Sequence, residues 1–372
     1  MLPPQAERKK LLAVLEQLSS AVEEQLLAGM TTATDATRQI LSVALQEAAR
    51  CRLLRLGSTL RSLGEELTRY SSQDALFSRR RLMFFLNRAW LLSRGLAHAL
   101  KQDDVAEYDR LNWSPTAQPL PEVTAVCIGI VKRVSPGAFV AFDFRLRALA
   151  DAAPVSAGQR LSWSVVFPLK PGMDIVPEAF LHLPHKGKFA PFLMTERKTI
   201  KFERADIVID EAGTGRLTVT DQTTLTTGEA FEDWEQFLSW EPAAALDRIR
   251  RHKSGPLDLD TELQEEVVLR EYDFQEPADG DQPGQTIHPI TADGLQFSVS
   301  LSAGAEDKTL RQNLEELKKL KGNCPPLYGM LHYEKCRLVL QPLAVFKPAP
   351  DYLTITKENL KKSALLKGMS FT

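Results

Sequence analysis

The chain has 372 residues, enough for two or three domains, with 44% hydrophobic and 25% charged residues and a formal net charge of −2. A near-neutral total gives the whole molecule no general bias toward nucleic acid or anionic membrane. No uncharged apolar stretch reaches the roughly 18 residues of a spanning helix, and the polar Met1–Lys10 start has no signal-peptide core, so a cytoplasmic protein is expected.

Residues 5–111 read as helices, because proline is absent between Pro4 and Pro115 and leucines recur at three- and four-residue steps. Leu11, Leu15, Leu18, Val22 and Leu26 form the first stripe, and Gly29 supplies a stop. Thr34 or Asp35 can cap a second helix through Ile40, Leu41, Ala44, Leu45 and Ala48. Leu53, Leu56, Leu60, Leu63 and Leu67 mark a third. Ser71-Ser72-Gln73-Asp74 breaks it and can cap a fourth, running to about Lys101, with a short fifth over Asp103 to Leu111. Short connections favour antiparallel neighbours, hence a helical bundle over residues 1–112. The fourth helix is apolar nearly all round, through Leu82 to Leu86 and Ala89 to Leu92, so Trp90 is expected to be buried.

Pro115, Pro119 and Pro121 then end helical structure and mark a domain boundary. Val123 to Val134 and Phe139 to Leu146 flank Ser135-Pro136-Gly137 as a hairpin. Leu161 to Leu169, Thr199 to Ile209 and Arg216 to Thr220 are further strands, and Phe231 to His252 reads as one or two helices broken near Pro242. A second linker is expected over Gln275 to Gln285. Beyond it come a strand at Leu295 to Leu301, an amphipathic helix at Lys308 to Lys321, a hairpin of Tyr328 to Tyr333 with Arg337 to Phe346, and a short basic helix at Lys357 to Lys367. The expected fold is therefore α+β and multidomain. A helical bundle (1–112) precedes a mostly antiparallel β-rich α+β domain (122–274), and 286–372 is a small α+β domain or a continuation of the β region.

Chemistry is sparse. There is no P-loop, dinucleotide fingerprint, nucleophile elbow or H-E-x-x-H. Cys51, Cys127, Cys324 and Cys336 make no C-x-x-C pair, so free thiols are expected rather than a zinc site or disulfide framework. Cys127, in an apolar run, reads as a small hydrophobe. His182 and His185 lie three apart, a spacing open to metal or acid–base work, but only Asp174 and Glu178 are near enough to add a ligand, and a loop with two polar side chains is the alternative. No catalytic residue, cofactor, metal or small-molecule substrate is expected.

Charge is blocked. Residues 50–94 hold ten arginines against three acids, residues 203–281 hold 21 acids against seven bases, and residues 308–372 hold twelve bases against five acids. Opposite blocks either attract one another or stand as separate solvated faces. Arg79-Arg80-Arg81 with Arg55 is the candidate interaction surface, although three consecutive helical positions spread over about 200°. A protein partner is expected first, and nucleic acid, met by the basic helical region, is the alternative.

The helical stretch Leu53-Leu54-Arg55-Leu56-Gly57 with Leu60-Arg61-Ser62-Leu63 resembles helical regions that accompany SWIM zinc-finger proteins. Tyr328-Gly329-Met330-Leu331-His332-Tyr333 and Arg337-Leu338-Val339-Leu340-Gln341-Pro342-Leu343 resemble hairpins of proteins from the same kind of bacterial gene neighbourhood, which also carries MoxR-type AAA ATPases and von Willebrand A proteins. The SWIM cysteine–histidine signature is absent here. The resemblance implies a non-zinc accessory protein of such a system, a non-enzymatic binding or scaffold protein acting through protein surfaces, and brings no site residues. An enzyme of unrecognised class is the remaining reading.

Overall fold

The computed structural model describes residues 2–29, 35–73, 77–112, 117–135, 139–169, 176–186, 188–210, 213–251, 257, 265–280, 285–301, 308–320, 322–334, 337–355 and 360. They divide into two compact units, 1–116 with 254–259, and 117–253 with 260–372. The division falls within the proline-rich stretch after the helices. The architecture is α+β, as the change of hydrophobic period requires.

The first unit holds α1 (Gln5–Ala28), α2 (Asp35–Arg50), α3 (Leu54–Ser71), α4 (Arg79–Lys101) and α5 (Val105–Asn112). α4 is central and packs against α1, α3 and α5. The leucine stripes form the core: Leu11, Leu15 and Leu18 of α1, Leu56, Leu60 and Leu63 of α3, and Leu82, Leu86, Leu92 and Leu96 of α4 are all buried. Gly29 ends α1 at φ +83, where its N–H reaches the Gln25 carbonyl. The start of α4 differs from expectation. Ser78 caps it, its hydroxyl accepting from the Arg81 N–H at 3.3 Å, whereas the expected cap at Ser71–Asp74 lies partly at the end of α3 and partly outside the described residues.

The second unit contains two sheets. The first comprises β1 (Gln118–Ser135), β2 (Phe139–Ala148), β3 (Arg160–Pro168), β4 (Lys198–Ile209), β5 (Gly215–Thr218) and β6 (Thr224–Ala230). Strand order is β1-β2-β3-β5-β4, and β4 also pairs with β1, which closes a five-stranded barrel. β3 and β5 run parallel and the other pairs antiparallel. Alternation along β3 points Leu161, Trp163, Val165 and Phe167 inward, against Val140, Phe142, Phe144 and Leu146 of β2. The Phe144 and Trp163 rings stack at 5.2 Å. Short 3-10 helices at Pro177–His182 and Pro191–Thr195 link β3 to β4 and add Phe180, Leu181 and Met194 to the same core. The stretch expected to be helical before His252 is a 3-10 turn at Trp234–Phe237 followed by α6 (Pro242–Arg251).

The second sheet comprises β7 (Glu265–Leu269), β8 (Asp273–Phe274), β9 (Ala278–Asp279), β10 (Thr286–Ala292), β11 (Leu295–Leu301), β12 (Leu327–Glu334), β13 (Arg337–Phe346) and β14 (Pro350–Tyr352). The same closure recurs once β7, β8 and β9 are taken as one bent first strand. β8 and β9 pair with β10, β10 with β11, β11 in parallel with β13, β13 with β12, and β12 with β7. α7 (Lys308–Lys318) connects β11 to β12 and buries Leu310, Leu314 and Leu317. Asp293-Gly294, both at positive φ, makes the tight β10–β11 turn. Both barrels thus have the strand order of an OB fold, and they stand in tandem. Within Gln275 to Gln285, expected as a linker, Ala278–Asp279 is β9 and pairs with β10 of the second barrel, and residues 281–284 lie outside the described residues. The expected basic helix at 357–367 lies, except for Leu360, outside the described residues.

Candidate interaction surfaces

The arginine cluster forms a corner where α3 meets α4. Arg79, Arg80 and Arg81 are exposed on the first turn of α4. Arg69, in the last turn of α3, lies beside them through a shared acceptor. The Glu66 carboxylate, fully buried, takes Arg69 Nη1 at 2.6 Å, Arg81 Nη2 at 3.4 Å and the Ser78 N–H at 3.1 Å. Arg81 also reaches over the Phe85 ring. Arg81 is thus tied to the end of α3, and Arg79 and Arg80 are exposed in the same first turn, at a helix N-terminus where the backbone dipole adds positive potential. Arg55 does not join them. It sits in the first turn of α3, about 20 Å along the helix axis from Arg69.

Trp90 is half-buried rather than buried. Its indole N–H donates to Glu23 Oε2 at 3.3 Å, and Arg94 lies over its ring. The apolar run of α4 is wider than the space its neighbours cover, which also leaves Met83 43% exposed.

The two barrels meet through a buried polar joint. Arg147 of β2 pairs with Glu266 of β7, with side chains 11% and 5% exposed. Arg160 of β3 reaches Glu265 at 3.4 Å and Glu266 at 3.8 Å, and Arg248 of α6 reaches Glu265 at 2.6 Å. Burial pushes the Glu266 carboxyl up, but Arg147, Arg160 and Arg145 outweigh it and hold it below the ordinary carboxylate range. Gly129 on β1 belongs to the same contact, since a Cβ there would stand 2.5 Å from the Tyr328 ring of β12. The C-terminal segment adds to the joint. Tyr352 donates its hydroxyl to the Cys127 carbonyl at 3.1 Å, Thr354 to that of Ile130 at 3.0 Å, and Arg197 Nε to that of Pro350 at 2.8 Å.

This joint covers one end of the outer β2–β3 face of the first barrel, whose other end keeps Phe139 and Val166 exposed. An OB barrel offers ligands the outer surface of its second and third strands. In the first barrel, Arg147 and Arg160 on that surface are engaged by Glu265 and Glu266. In the second, register places Gln296, Ser298 and Ser300 of β11 beside Thr291, Pro289 and Ile287 of β10. These described residues include no aromatic ring on which a base could stack and no cation for a phosphate.

His182 stacks on Phe192 at 4.4 Å, and its Nε2 bonds the Leu360 carbonyl at 2.7 Å. His185 faces Trp163 and Phe189, and burial, then Lys186, lowers its pKa. The two imidazoles thus serve different contacts. Glu178, once a conceivable third ligand, is buried against Lys132 Nζ at 2.8 Å. Among the described residues no group of three His, Cys, Asp or Glu is placed to hold a metal. Burial pushes the Cys127 thiol up to about 12, which suits an inert core position. In the second barrel, Lys318 Nζ lies 2.9 Å from Nδ1 of buried His288, at the edge of a cleft of about 660 Å³ that includes Tyr272 and Phe274. No described helix is long and apolar enough to cross a membrane.

Sequence reasoning missed Glu66, Arg147, Glu265 and Glu266. The one available signal was Glu265-Glu266 directly before Val267-Val268-Leu269, two acids leading an apolar strand.

No family model and no curated protein matches the chain. Solved structures do. One is the HINa domain of Ifi202 in complex with 20-bp double-stranded DNA, at 10% identity over 60% of this chain and 93% of that one, with a TM-score of 0.31. Another is the p202 HIN1 domain in complex with 12-mer double-stranded DNA, at 12% identity over 61% and 91%, TM-score 0.31. A third is a replication protein A heterotrimer bound to single-stranded DNA, at 12% identity over 68% and 54%, TM-score 0.29. At these scores the likeness assigns no function; the barrel assignment above rests on strand order and closure.

Proposed function

We propose that the protein is a non-enzymatic binding or scaffold protein that engages other proteins through the surfaces of its tandem barrels. The carrying observation is the chemistry of the exposed residues on the β10–β11 face, Gln296 and Ser300 with half-buried Thr291, Pro289 and Ser298. It is neutral, rich in Ser, Thr and Gln, and lacks the stacking rings and cations that single-stranded nucleic acid requires. Such a face suits a protein surface, where hydrogen bonds and close fit carry recognition. The resemblance noted in the sequence extends this proposal to an accessory role beside an AAA ATPase and a von Willebrand A protein. Affinity purification of the tagged chain from its native host, with mass spectrometry of what co-purifies at near-physiological salt, is the test. Recovery of the chain alone, at every salt concentration and cell density, would refute the scaffold reading.

A second reading is supported by the arginine corner. Arg79, Arg80 and Arg81 are all exposed on the first turn of a helix whose N-terminus Ser78 caps. That arrangement suits the phosphate backbone of nucleic acid, met without base readout. Duplex DNA binding that weakens steeply with salt, and loses about one to two units of log–log salt slope in an Arg79→Ala/Arg80→Ala variant, would favour it.

A further inference from the structure

The first barrel carries a strand that its closure does not use. β5 ends at Thr218, and β3 pairs with it only through Leu161 to Trp163. At that point β4 is kinked. Arg204 stands at φ +57, and its carbonyl accepts from Thr223 Oγ1 at 2.8 Å and Thr220 Oγ1 at 3.3 Å. The chain turns there and resumes as β6, which pairs with β4 along Lys198 to Glu203 and, among the described residues, with no other strand. The side of β6 away from β4 is an open edge. From Gly228 to Ala230 every residue is exposed, as are Thr226 and Thr227.

Open edges are usually blunted by lysine, proline or very short length. Thr224 to Thr227 have none of these devices: they are β-branched or leucine, in even register with β4, and free of lysine and proline. A bulge at Gly228–Glu229 opposite Thr199 limits the flat part to these four residues and sets the acidic end beyond it. That end is strongly negative. Glu229, Glu232 and Asp233 are exposed and make no ion pair with a described residue, and Asp221, 3.5 Å from Lys186 Nζ, flanks the other end with 93% of its side chain exposed.

We infer that β6 is a docking strand for an extended segment of a partner protein, one that pairs β-branched residues along Thr224–Thr227 and carries lysine or arginine against Glu229, Glu232 and Asp233. This inference rests on the protein-binding reading above and names the partner's chemistry. Backbone hydrogen bonds supply the register, and the acids select the basic flank. A second copy of this chain is the wrong occupant. Two-fold pairing centred on Leu225–Thr226 brings Asp221 of each copy beside the Glu229–Glu232 end of the other, like charge against like.

The test uses the full chain and two fluorescein-labelled heptapeptides, Lys-Val-Thr-Val-Lys-Val-Lys and its counterpart with glutamate in place of lysine. Anisotropy should show saturable binding of the basic peptide and at least tenfold weaker binding of the acidic one. The Glu229→Lys/Asp233→Lys variant should reverse that preference. Neighbouring residues of a paired strand alternate in which side their N–H faces. Of Thr226→Pro and Thr227→Pro, one therefore removes an outward N–H and should abolish peptide binding while its unfolding midpoint stays with wild type. The other breaks a bond to β4 and lowers the midpoint. Absence of basic-peptide binding at millimolar concentration overturns the inference, as does equal binding of both peptides. Self-association that the same proline variant abolishes assigns the edge to a second copy and also overturns it. Partners that co-purify equally with wild type and with the proline variant sink the docking strand but leave the scaffold reading standing.

Discussion

The barrel joint makes a quantitative test of what fixes the two barrels to one another. Replacing Glu266 with Gln keeps the shape and removes the charge, leaving Arg147, 89% covered, beside Arg145 and Arg160 with no full counter-charge. Breaking one side of a buried pair costs about 3–5 kcal/mol. With a urea m-value of about 3 kcal/mol/M for a unit of this size, the midpoint of the barrel transition should fall by about 1–2 M. Arg147→Met should cost a similar amount. The double variant Arg147→Met/Glu266→Leu should recover most of the loss, because two apolar side chains of similar volume leave neither charge uncompensated. Trp163, Trp234 and Trp240 report this transition by fluorescence once Trp90→Phe and Trp113→Phe remove the other two indoles of the chain. Sign and pH follow from the lowered carboxyl. Glu266 contributes stability that is present above its unfolded value near 4.5 and is lost as pH falls through its lower folded value. A Glu266→Gln midpoint within about 0.3 M of wild type at pH 7 would refute the argument, as would a double variant no better than either single one.

Three further outcomes follow from the same reasoning. Glu66→Ala strips the acceptor from Arg69, Arg81 and the Ser78 N–H, and should destabilise the helical unit by about 2–4 kcal/mol in thermal unfolding followed by circular dichroism; an unchanged melting temperature contradicts the role assigned to it. His288 has its pKa lowered, first by burial and then by Lys318, so the unfolded state takes up its proton more readily than the folded one. Stability should therefore decline as pH falls below about 6.5, and His288→Gln should flatten that decline; parallel pH curves for the two proteins would exclude the effect. Trp90→Ala should cost about 1–3 kcal/mol, less than a fully buried tryptophan, with an emission maximum intermediate between buried and exposed indole in a variant retaining only that tryptophan.

The helical unit was legible because its signals are local. Leu53, Leu56, Leu60 and Leu63 are spaced by helix geometry, and each is buried. Strands such as Phe139–Ala148 were visible through their β-branched and aromatic runs. What those strands close into was not visible, because barrel closure depends on pairs distant in the chain, such as Val123 with Phe202 and Phe297 with Leu338. Near Gln275 the proline- and glycine-rich stretch is a bend: Gln275–Pro277 separates β8 from β9 in a first barrel strand built from three short pieces. The Trp90 expectation failed for a related reason, since an apolar helix surface announces what it can bury and not how much its neighbours cover. Arg79–Arg81 were found by composition, but that Glu66 holds Arg81 inward was beyond reach, because residues 66 and 81 meet only across a helix–helix corner.

The hydroxyls of Tyr352 and Thr354 also set a timetable for synthesis. The carbonyls of Cys127 and Ile130, to which they donate, belong to the first strand of the second unit and precede them by 225 and 224 residues. A chain leaving the ribosome at about 5–20 residues per second leaves those two carbonyls without these donors for roughly 10–45 seconds, although β2 and β4 are made sooner. The five helices, whose contacts are short in sequence, can be finished long before then. The first barrel can pair its own strands early, but its contacts with Tyr352 and Thr354 are completed only near the end of synthesis.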